Sequence, residues 1–344
     1  MLEDLFVYCI PVVMKFVDNK NGELIISERK IESPQENEIQ IEIYSSGINR
    51  ADLLQKKGHY PPPQGESDII GLEVSGKVSK LGSLVKDIKI GDFVCAILGG
   101  GGYAEFVNVD QRQVLPIPKN INIHDAASLP ETILTVYENV FNISEFKKNE
   151  SILIHGGSSG IGTTAISILK NFTDKIYVTA GSKEKCDACL NLGATKAINY
   201  KEEDFEEVLT KENIKVDIIL DIILDMVGGD YFKKNLKILN FKGRLTYIAA
   251  LGGIKGEVNL LHIMNKQLKI SGSTLRSRSS ELKGKIVRQV LKDVWPLIEN
   301  GSIGLNIFKK FPMDEINVAH QLMESSEHIG KILLTIKEEN NEST

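Results

Sequence analysis

The 344-residue sequence predicts an α/β protein in two parts: a β-rich domain, then a doubly wound parallel sheet with helices on both faces. Three observations support this fold class. Short strand-like runs fill the chain up to about Val114, strand-like and helix-like runs alternate from Ser151 onward, and a glycine-rich turn opens the second part.

The first part contains apolar or alternating runs separated by Gly, Pro, Asn and Asp. They read "PVVMKFV", "ELIIS", "EIQIEIYSSGI", "LEVSGKVSKLG", "GDFVCAIL" and "YAEFVNV". Such spacing predicts a partly closed barrel or a sandwich. The segment "HYPPPQGES", residues 59–67, is predicted to be a loop, because consecutive prolines cannot donate ladder hydrogen bonds.

The second part alternates buried strands with helices, the pattern of a Rossmann-type sheet with right-handed crossovers. Predicted strands are "ILIH", "KIYVTA", "KAINY", "VDIILDIIL", "GRLTYIA" and "QLKISG", and predicted helices span 160–171, 183–192, 203–211, 229–239 and 259–265. "IILD" occurs twice in tandem within 217–229, so one copy should end the strand or bulge, and the pattern leaves open which. One long helix over 281–300 and a last strand, "KILLTI", should follow.

Composition narrows the function classes. The net charge of −5 with interspersed lysines argues against a nucleic-acid partner. Four cysteines indicate a reducing compartment, and Cys186 and Cys189 fit a structural role better than a redox or metal role.

No apolar run reaches the ~20 residues of a membrane span. The start lacks a basic region, so residues 1–11 are expected to be an extension rather than a signal peptide, in a cytoplasmic protein.

The turn "HGGSSGIG" follows a predicted strand and opens a predicted helix. Glycines in this position allow tight turn dihedrals and close approach of the backbone to a pyrophosphate, which the helix N-terminus favours. The residues expected to bind the cofactor here are Gly157, Ser158, Ser159, Gly160, Ile161 and Gly162.

The end of the second strand of this unit indicates which cofactor is bound. Proteins that bind NAD have an acidic residue there, which hydrogen-bonds the ribose 2′-hydroxyl. This chain has "AGSKEK" instead, with Ser182 and Lys185 as donors and no acid at the strand tip. A 2′-phosphate needs such donors, so NADP(H) is predicted rather than NAD(H).

Several motifs occur in the order found in one superfamily. They are "GINRADLLQKKGHYPPP", "IIGLEVSGKV", "GGYAEFVNV", "ASLPETILTVYENV", "ILIHGGSSGIG", "LGATKAINYKEEDF" and "GSTLRSR". Over residues 12–336 the chain resembles the medium-chain dehydrogenase/reductase superfamily, most closely its zeta-crystallin-like quinone oxidoreductase branch. The resemblance implies a chaperonin-like (GroES-like) catalytic domain over 12–133. It also implies a Rossmann NADP-binding domain over 134–278, and a segment over 279–344 that returns to the catalytic domain.

The resemblance also assigns residues to roles. Asn49, Asp52 and Tyr60 are expected at the nicotinamide end as catalytic residues, although Asn49 and Asp52 also suit a helix cap and Tyr60 a packed loop. Tyr200 is expected beside the 2′-phosphate with Ser182 and Lys185. Further cofactor-binding residues are expected to be Thr135, Leu251, Leu275 and Arg276.

Zinc ligands of the related alcohol dehydrogenases are missing. Those enzymes read G-H-E where this chain has Gly71-Leu72-Glu73, and their catalytic cysteine aligns with Asn49. Leucine cannot ligate a metal, and the four-cysteine zinc lobe is absent. The resemblance therefore predicts a metal-free enzyme.

The activity expected is NADPH-dependent, zinc-independent reduction of quinones. An enone or alkenal double-bond reductase and a non-catalytic cofactor-binding (crystallin-like or RNA-binding) protein are the alternatives. A short-chain dehydrogenase does not fit, because no Tyr-x-x-x-Lys follows the turn. The unpaired edge of strand 267–275 predicts a homodimer whose small-molecule substrate, a quinone or enone, is bound in each subunit.

Overall fold

The computed structural model describes residues 13–211 and 220–338. The strands of these residues are β1 (Val13–Lys20), β2 (Glu23–Lys30), β3 (Glu38–Ile48), β4 (Glu73–Leu81), β5 (Phe93–Ile97), β6 (Phe106–Asp110), β7 (Val114–Pro116), β8 (Ile152–His155), β9 (Ile176–Ala180), β10 (Lys196–Asn199), β11 (Leu220–Asp225), β12 (Leu239–Tyr247), β13 (Lys269–Gly272), β14 (Ile307–Pro312) and β15 (Lys331–Thr335). The α-helices are α1 (Arg50–Lys56), α2 (Pro130–Val136), α3 (Gly160–Leu169), α4 (Lys183–Leu192), α5 (Phe205–Lys211), α6 (Tyr231–Ile238), α7 (Leu260–Lys266), α8 (Ser280–Asp293), α9 (Trp295–Glu299) and α10 (Ile316–Ser325). A π-helix, Tyr137–Ile143, continues α2.

The second half forms a parallel six-stranded sheet in the order β10-β9-β8-β11-β12-β13. This is the doubly wound order, in which the chain changes direction between β8 and β11. Ligands bind outside the carboxyl ends of the strands at such a point. The predicted Rossmann-type sheet is therefore confirmed, and the glycine turn after β8 lies at the switch point.

Both faces of this sheet are buried, which explains its nearly continuous apolar strands. On one face Ile154 and Val178 pack in a cluster that extends to Ile97 of the first half. On the other face Leu153 and Ile223 pack with helices α5 and α6. The apolar core thus continues from one half of the chain into the other and holds the two sheets together.

The first half forms a mostly antiparallel sheet in the order β14-β15-β3-β4-β5-β7, with β6 also pairing β3. The C-terminal strand β15 pairs antiparallel with β3, so that Ile332 lies opposite Ile48. The last part of the chain therefore returns to the first domain. The division into domains over 12–133, 134–278 and 279–344 remains a prediction. Its boundary at 133/134 falls within α2.

Two predicted elements differ in detail. The helix expected over 281–300 is two helices, α8 and α9, which meet at Val294. Pro296 has no N–H to donate to the Lys292 carbonyl, so a continuous helix loses a bond there. In the tandem repeat, the second "IILD" copy (222–225) lies within β11, and a bulge precedes it between Leu220 and Ile222. Residues 218–219 of the first copy lie outside the described residues, as do residues 1–12.

Across the described ranges, every helix is too short or too polar to cross a membrane.

Candidate active site

The glycine turn brings α3 close against β8 and β9. Gly156 has φ +76°, a left-handed conformation that favours glycine. A Cβ at Gly157 would lie 2.6 Å from the Val178 Cβ, and one at Gly162 would lie 2.3 Å from the Gly156 carbonyl oxygen. The Ser159 hydroxyl caps α3 by accepting the Gly162 N–H at 3.0 Å. The turn therefore presents a helix N-terminus to the cleft, which suits a phosphate.

A cleft of about 430 Å³ opens at this turn, between the two sheets. Among its lining residues are Asn49, Thr132, Ser158, Ser159, Gly160, Ile161, Gly181, Lys185, Tyr200, Leu251, His328 and Lys331. Seven of the eight predicted residues in this group come from the second half, and the C-terminal segment closes one side. The cleft combines a helix N-terminus with the cations Lys185 and Lys331, so its residues fit a dinucleotide phosphate.

The predicted 2′-phosphate end is built around the start of α4. Ser182 caps this helix by accepting the Lys185 N–H at 3.3 Å, which leaves its O–H as a donor. The Lys185 ammonium donates to the Ser326 carbonyl, and burial together with Lys201 lowers the pKa of Lys185. A Cβ at Gly181 would lie 2.6 Å from the Tyr200 hydroxyl. Lys185 and Tyr200 thus reach the cleft, whereas Ser182 shapes the helix beside it.

Asn49 is held by a buried ion pair that the sequence analysis did not foresee. Its Oδ1 accepts from the Lys331 ammonium at 2.7 Å, and its Nδ2 donates to Glu73 Oε1 at 3.0 Å. Lys331 Nζ also lies 2.5 Å from Glu73 Oε1. Both partners are buried, so the orientation of the Asn49 amide is set by charged groups rather than by water.

Asp52 is buried next to Asn49 and is not among the residues that line the cleft. Its Oδ2 accepts the Asn49 N–H at 2.7 Å and the Tyr103 hydroxyl at 2.9 Å, and that hydroxyl is 3.2 Å from His320 Nε2. Burial raises the pKa of Asp52 to about 7, against the effect of these hydrogen bonds. The capping alternative considered for Asp52 is thus observed, whereas the Asn49 side chain faces Glu73 and Lys331.

Tyr60 lies on the proline-rich loop and is fixed by Arg276. The Arg276 guanidinium lies 5.0 Å from the centre of the Tyr60 ring and donates to the Tyr60 carbonyl at 2.9 Å. It also donates to Gln55 Oε1 and the Gly99 carbonyl, each at 2.7 Å. The Arg276 side chain therefore joins the second domain to the predicted substrate loop, and its guanidinium donates to protein oxygens.

Of the remaining predicted cofactor residues, Leu251 lines the cleft, whereas Leu275 and Thr135 do not. Leu251 is half exposed at its rim, whereas Leu275 is buried in the core between the sheets. Thr135 is buried on α2, one turn after Thr132, which lines the cleft.

Sequence reasoning missed Glu73 and Lys331. Glu73 was considered only as the third residue of Gly71-Leu72-Glu73. Lys331 carries no local signal, because it lies 258 residues after Glu73 in the sequence and begins an ordinary strand. A Cβ at Gly47 would lie 2.1 Å from Glu73 Oε1, so Gly47 in "GIN" is the one local trace of this buried carboxylate.

Metal ligands do not converge at the site. Leu72 is buried where zinc enzymes have histidine, and both polar atoms of the Asn49 amide face Glu73 and Lys331. Across residues 13–211 and 220–338, no three His, Cys, Asp or Glu side chains are arranged to hold a metal ion. Cys95, Cys186 and Cys189 are buried free thiols.

Comparison with known proteins agrees with this geometry. Residues 35–119 match the alcohol dehydrogenase GroES-like domain, and residues 160–292 match the zinc-binding dehydrogenase family. Quinone oxidoreductase 1 of Escherichia coli (strain K12) is 33% identical over 309 residues, which are 88% of this chain and 92% of that protein. The crystal structure of Escherichia coli quinone oxidoreductase complexed with NADPH has a TM-score of 0.82 at 29% identity, covering 94% of this chain and 100% of that chain.

A much longer protein is also similar. Probable polyketide synthase 14 of Dictyostelium discoideum is 34% identical over 330 residues, which are 91% of this chain but 11% of that protein's length.

A Rossmann-type sheet, a GroES-like sheet and a glycine turn between them define a medium-chain dehydrogenase/reductase, an oxidoreductase class. The chain belongs to the quinone oxidoreductase family of that superfamily. The predicted superfamily and fold class are confirmed.

Replacing Lys331 by Met should leave the buried Glu73 carboxylate without its cation. We expect the free energy of unfolding to fall by about 3–5 kcal/mol, measured by urea denaturation. The double variant K331M/E73Q should recover part of this loss, because the unpaired charge is gone. Lys183→Met is the control, since that side chain is 84% exposed and its pair with Asp187 is screened by water, so the free energy of unfolding should hardly change. Equal losses in K331M and the double variant would contradict a buried charge pair.

Proposed function

We propose that the chain catalyses NADPH-dependent reduction of quinones without zinc. The observation that carries this proposal is the fixed Asn49 amide at the end of the cleft that begins at the glycine turn. Family membership supports the reaction class, and the acid-free strand tip beside Lys185 supports NADPH over NADH.

NADPH, when bound, supplies a hydride from its nicotinamide ring. The protein holds the acceptor, excludes water and polarises the acceptor oxygen. An amide nitrogen has two N–H donors. Asn49 Nδ2 donates to Glu73 Oε1 at 3.0 Å, and its other bond, to the Gly47 carbonyl, is long at 3.4 Å, so in this proposal the acceptor oxygen replaces Gly47 as the partner of the second N–H. The Tyr60 phenol is the second candidate donor, and burial raises its pKa, so it stays protonated at neutral pH.

Steady-state NADPH oxidation against matched quinones and enones tests the activity. Asn49→Ala and Tyr60→Phe should each lower quinone turnover without abolishing it, because losing one oxyanion donor costs about 10²–10³ in rate. NADPH affinity should barely change. Excess chelator should leave the rate unchanged, since the proposal involves no zinc.

Turnover of enones in place of quinones would favour the double-bond reductase. Complete loss in a folded variant would show obligatory proton transfer through that side chain, and no effect in either variant would place the pocket elsewhere.

Cofactor choice depends on Lys185 in this proposal. Lys185→Glu should raise the Michaelis constant for NADPH roughly 10- to 100-fold, the cost of losing a charge-assisted hydrogen bond, and leave that for NADH nearly unchanged. Lys183→Glu is the matched control, because its ammonium is 84% exposed two positions earlier on α4. Equal use of both cofactors by the wild-type protein would contradict the assignment.

We also propose a homodimer. Strand β13 is the edge of the parallel sheet. The loop and helix that precede it expose apolar side chains, including Ile254 in the loop (88%) and Met264 on α7 (68%). An unpaired edge beside an apolar surface favours pairing with a second copy. We expect a dimer by light scattering at micromolar concentration.

Met264→Lys should shift the protein toward monomer, because it places a charge in that apolar surface. Val318→Lys, on the exposed face of α10, should not change the assembly. A monomeric wild-type protein would contradict the proposal.

A further inference from the structure

Glu131 lies next to the predicted catalytic residues but has no role in the account so far. It occupies the first turn of α2, and its main-chain N–H donates to Glu73 Oε2 at 2.9 Å. The other oxygen of that carboxylate accepts from Asn49 Nδ2 at 3.0 Å. Glu131 and Asn49 are therefore neighbours across one carboxylate group.

The Glu131 carboxyl is also close to Tyr60. Burial raises the pKa of the Tyr60 phenol, and the charge of Glu131 raises it further. The next residue, Thr132, lines the cofactor cleft, and the Glu131 side chain is partly exposed. Glu131 thus stands at the start of α2, one residue before the cleft-lining Thr132 and beside both side chains proposed to polarise the acceptor.

Charged groups from four elements surround this carboxyl. The acids are Glu73 from β4 and Asp52 from α1, and the cations are Lys331 from β15 and Lys283 from α8. The Lys283 ammonium is fully buried, and its ion pair with Glu66 Oε1 is as long as 3.7 Å. The partly exposed Glu131 carboxyl therefore has charges of both signs near it.

We infer that Glu131 is the acid that protonates the reduced acceptor. The inference rests on the proposed function. A quinone gains two electrons and one proton as the hydride from NADPH, and one acceptor oxygen then carries negative charge. The Glu131 O–H bond breaks and a new O–H bond forms on that oxygen, giving hydroquinone and NADP⁺. Water then returns a proton to the Glu131 carboxylate.

The protonation state of Glu131 suits this role. Burial and the neighbouring Glu73 charge raise its pKa to about 8, while Lys331 and Lys283 act in the opposite direction. The group is thus protonated at neutral pH and loses its proton as the pH rises through about 8. Turnover that depends on Glu131 as an acid should fall over that range.

Glu131→Gln keeps the shape of the side chain and removes the acid. We expect kcat for quinone reduction to fall roughly 10²-fold or more. The alkaline decline near pH 8 should disappear, and NADPH affinity, measured by fluorescence titration, should stay within about twofold. The infrared band of a protonated carboxyl at pH 7 should be weaker in E131Q than in the wild-type protein. Glu299→Gln, on the exposed end of α9, is the matched control and should match the wild-type protein in every measurement.

Lys283→Met provides an independent test, because a structural role for Glu131 would not move a pH profile. Lys283 lowers the pKa of Glu131, so its removal should shift the alkaline decline of kcat to higher pH. Methionine fills the buried space of the lysine stem and should keep the chain folded.

The outcomes separate the inference from the proposed function. If the wild-type protein reduces quinones and E131Q has the same rate and pH profile, the Glu131 assignment is wrong and the proposed function is unaffected. A wild-type protein that oxidises NADPH with neither quinones nor enones would overturn the proposed function, and the assignment with it.

Discussion

The buried ion pair between Glu73 and Lys331 is the interaction on which the site depends. It joins β4 to β15 within the first domain's sheet region, and the aliphatic stem of Lys331 packs against the glycine turn. A Cβ at Gly160 would lie 2.6 Å from Lys331 Cδ. Removing two charges from water is costly, so such a pair persists only where further hydrogen bonds satisfy it. Here the Asn49 amide and the Glu131 N–H provide those bonds.

This arrangement links stability to chemistry. The carboxylate that stabilises Lys331 also orients Asn49 and accepts a main-chain N–H from the first turn of α2, so its loss should disturb both the packing of the first domain and the proposed catalytic groups. Arg276 adds a second connection at the other end of the site, from the second domain to Tyr60. The cleft therefore has rigid walls, and the reaction we propose needs positioned dipoles more than a strong Lewis acid.

Local patterns predicted most of the fold. Strand–helix alternation identified the parallel sheet, and the turn "HGGSSGIG" identified its switch point, because both depend on neighbouring residues. Lys331 and Arg276 could not be assigned in this way. Their partners lie at least 177 residues away in the sequence, and nothing local distinguishes a buried lysine from an exposed one. The helix break at Val294 was readable in principle, since Pro296 is two residues on.

The most direct test of the account is a double-variant cycle between Asn49 and Lys331, with quinone turnover as the readout and urea denaturation confirming that each variant is folded. If Lys331 acts on the acceptor by orienting the Asn49 amide, K331M should lower kcat in the wild-type background. It should then change kcat by no more than roughly twofold in the N49A background. Independent losses that multiply in N49A/K331M would contradict the account, because Lys331 would then act on the reaction without Asn49.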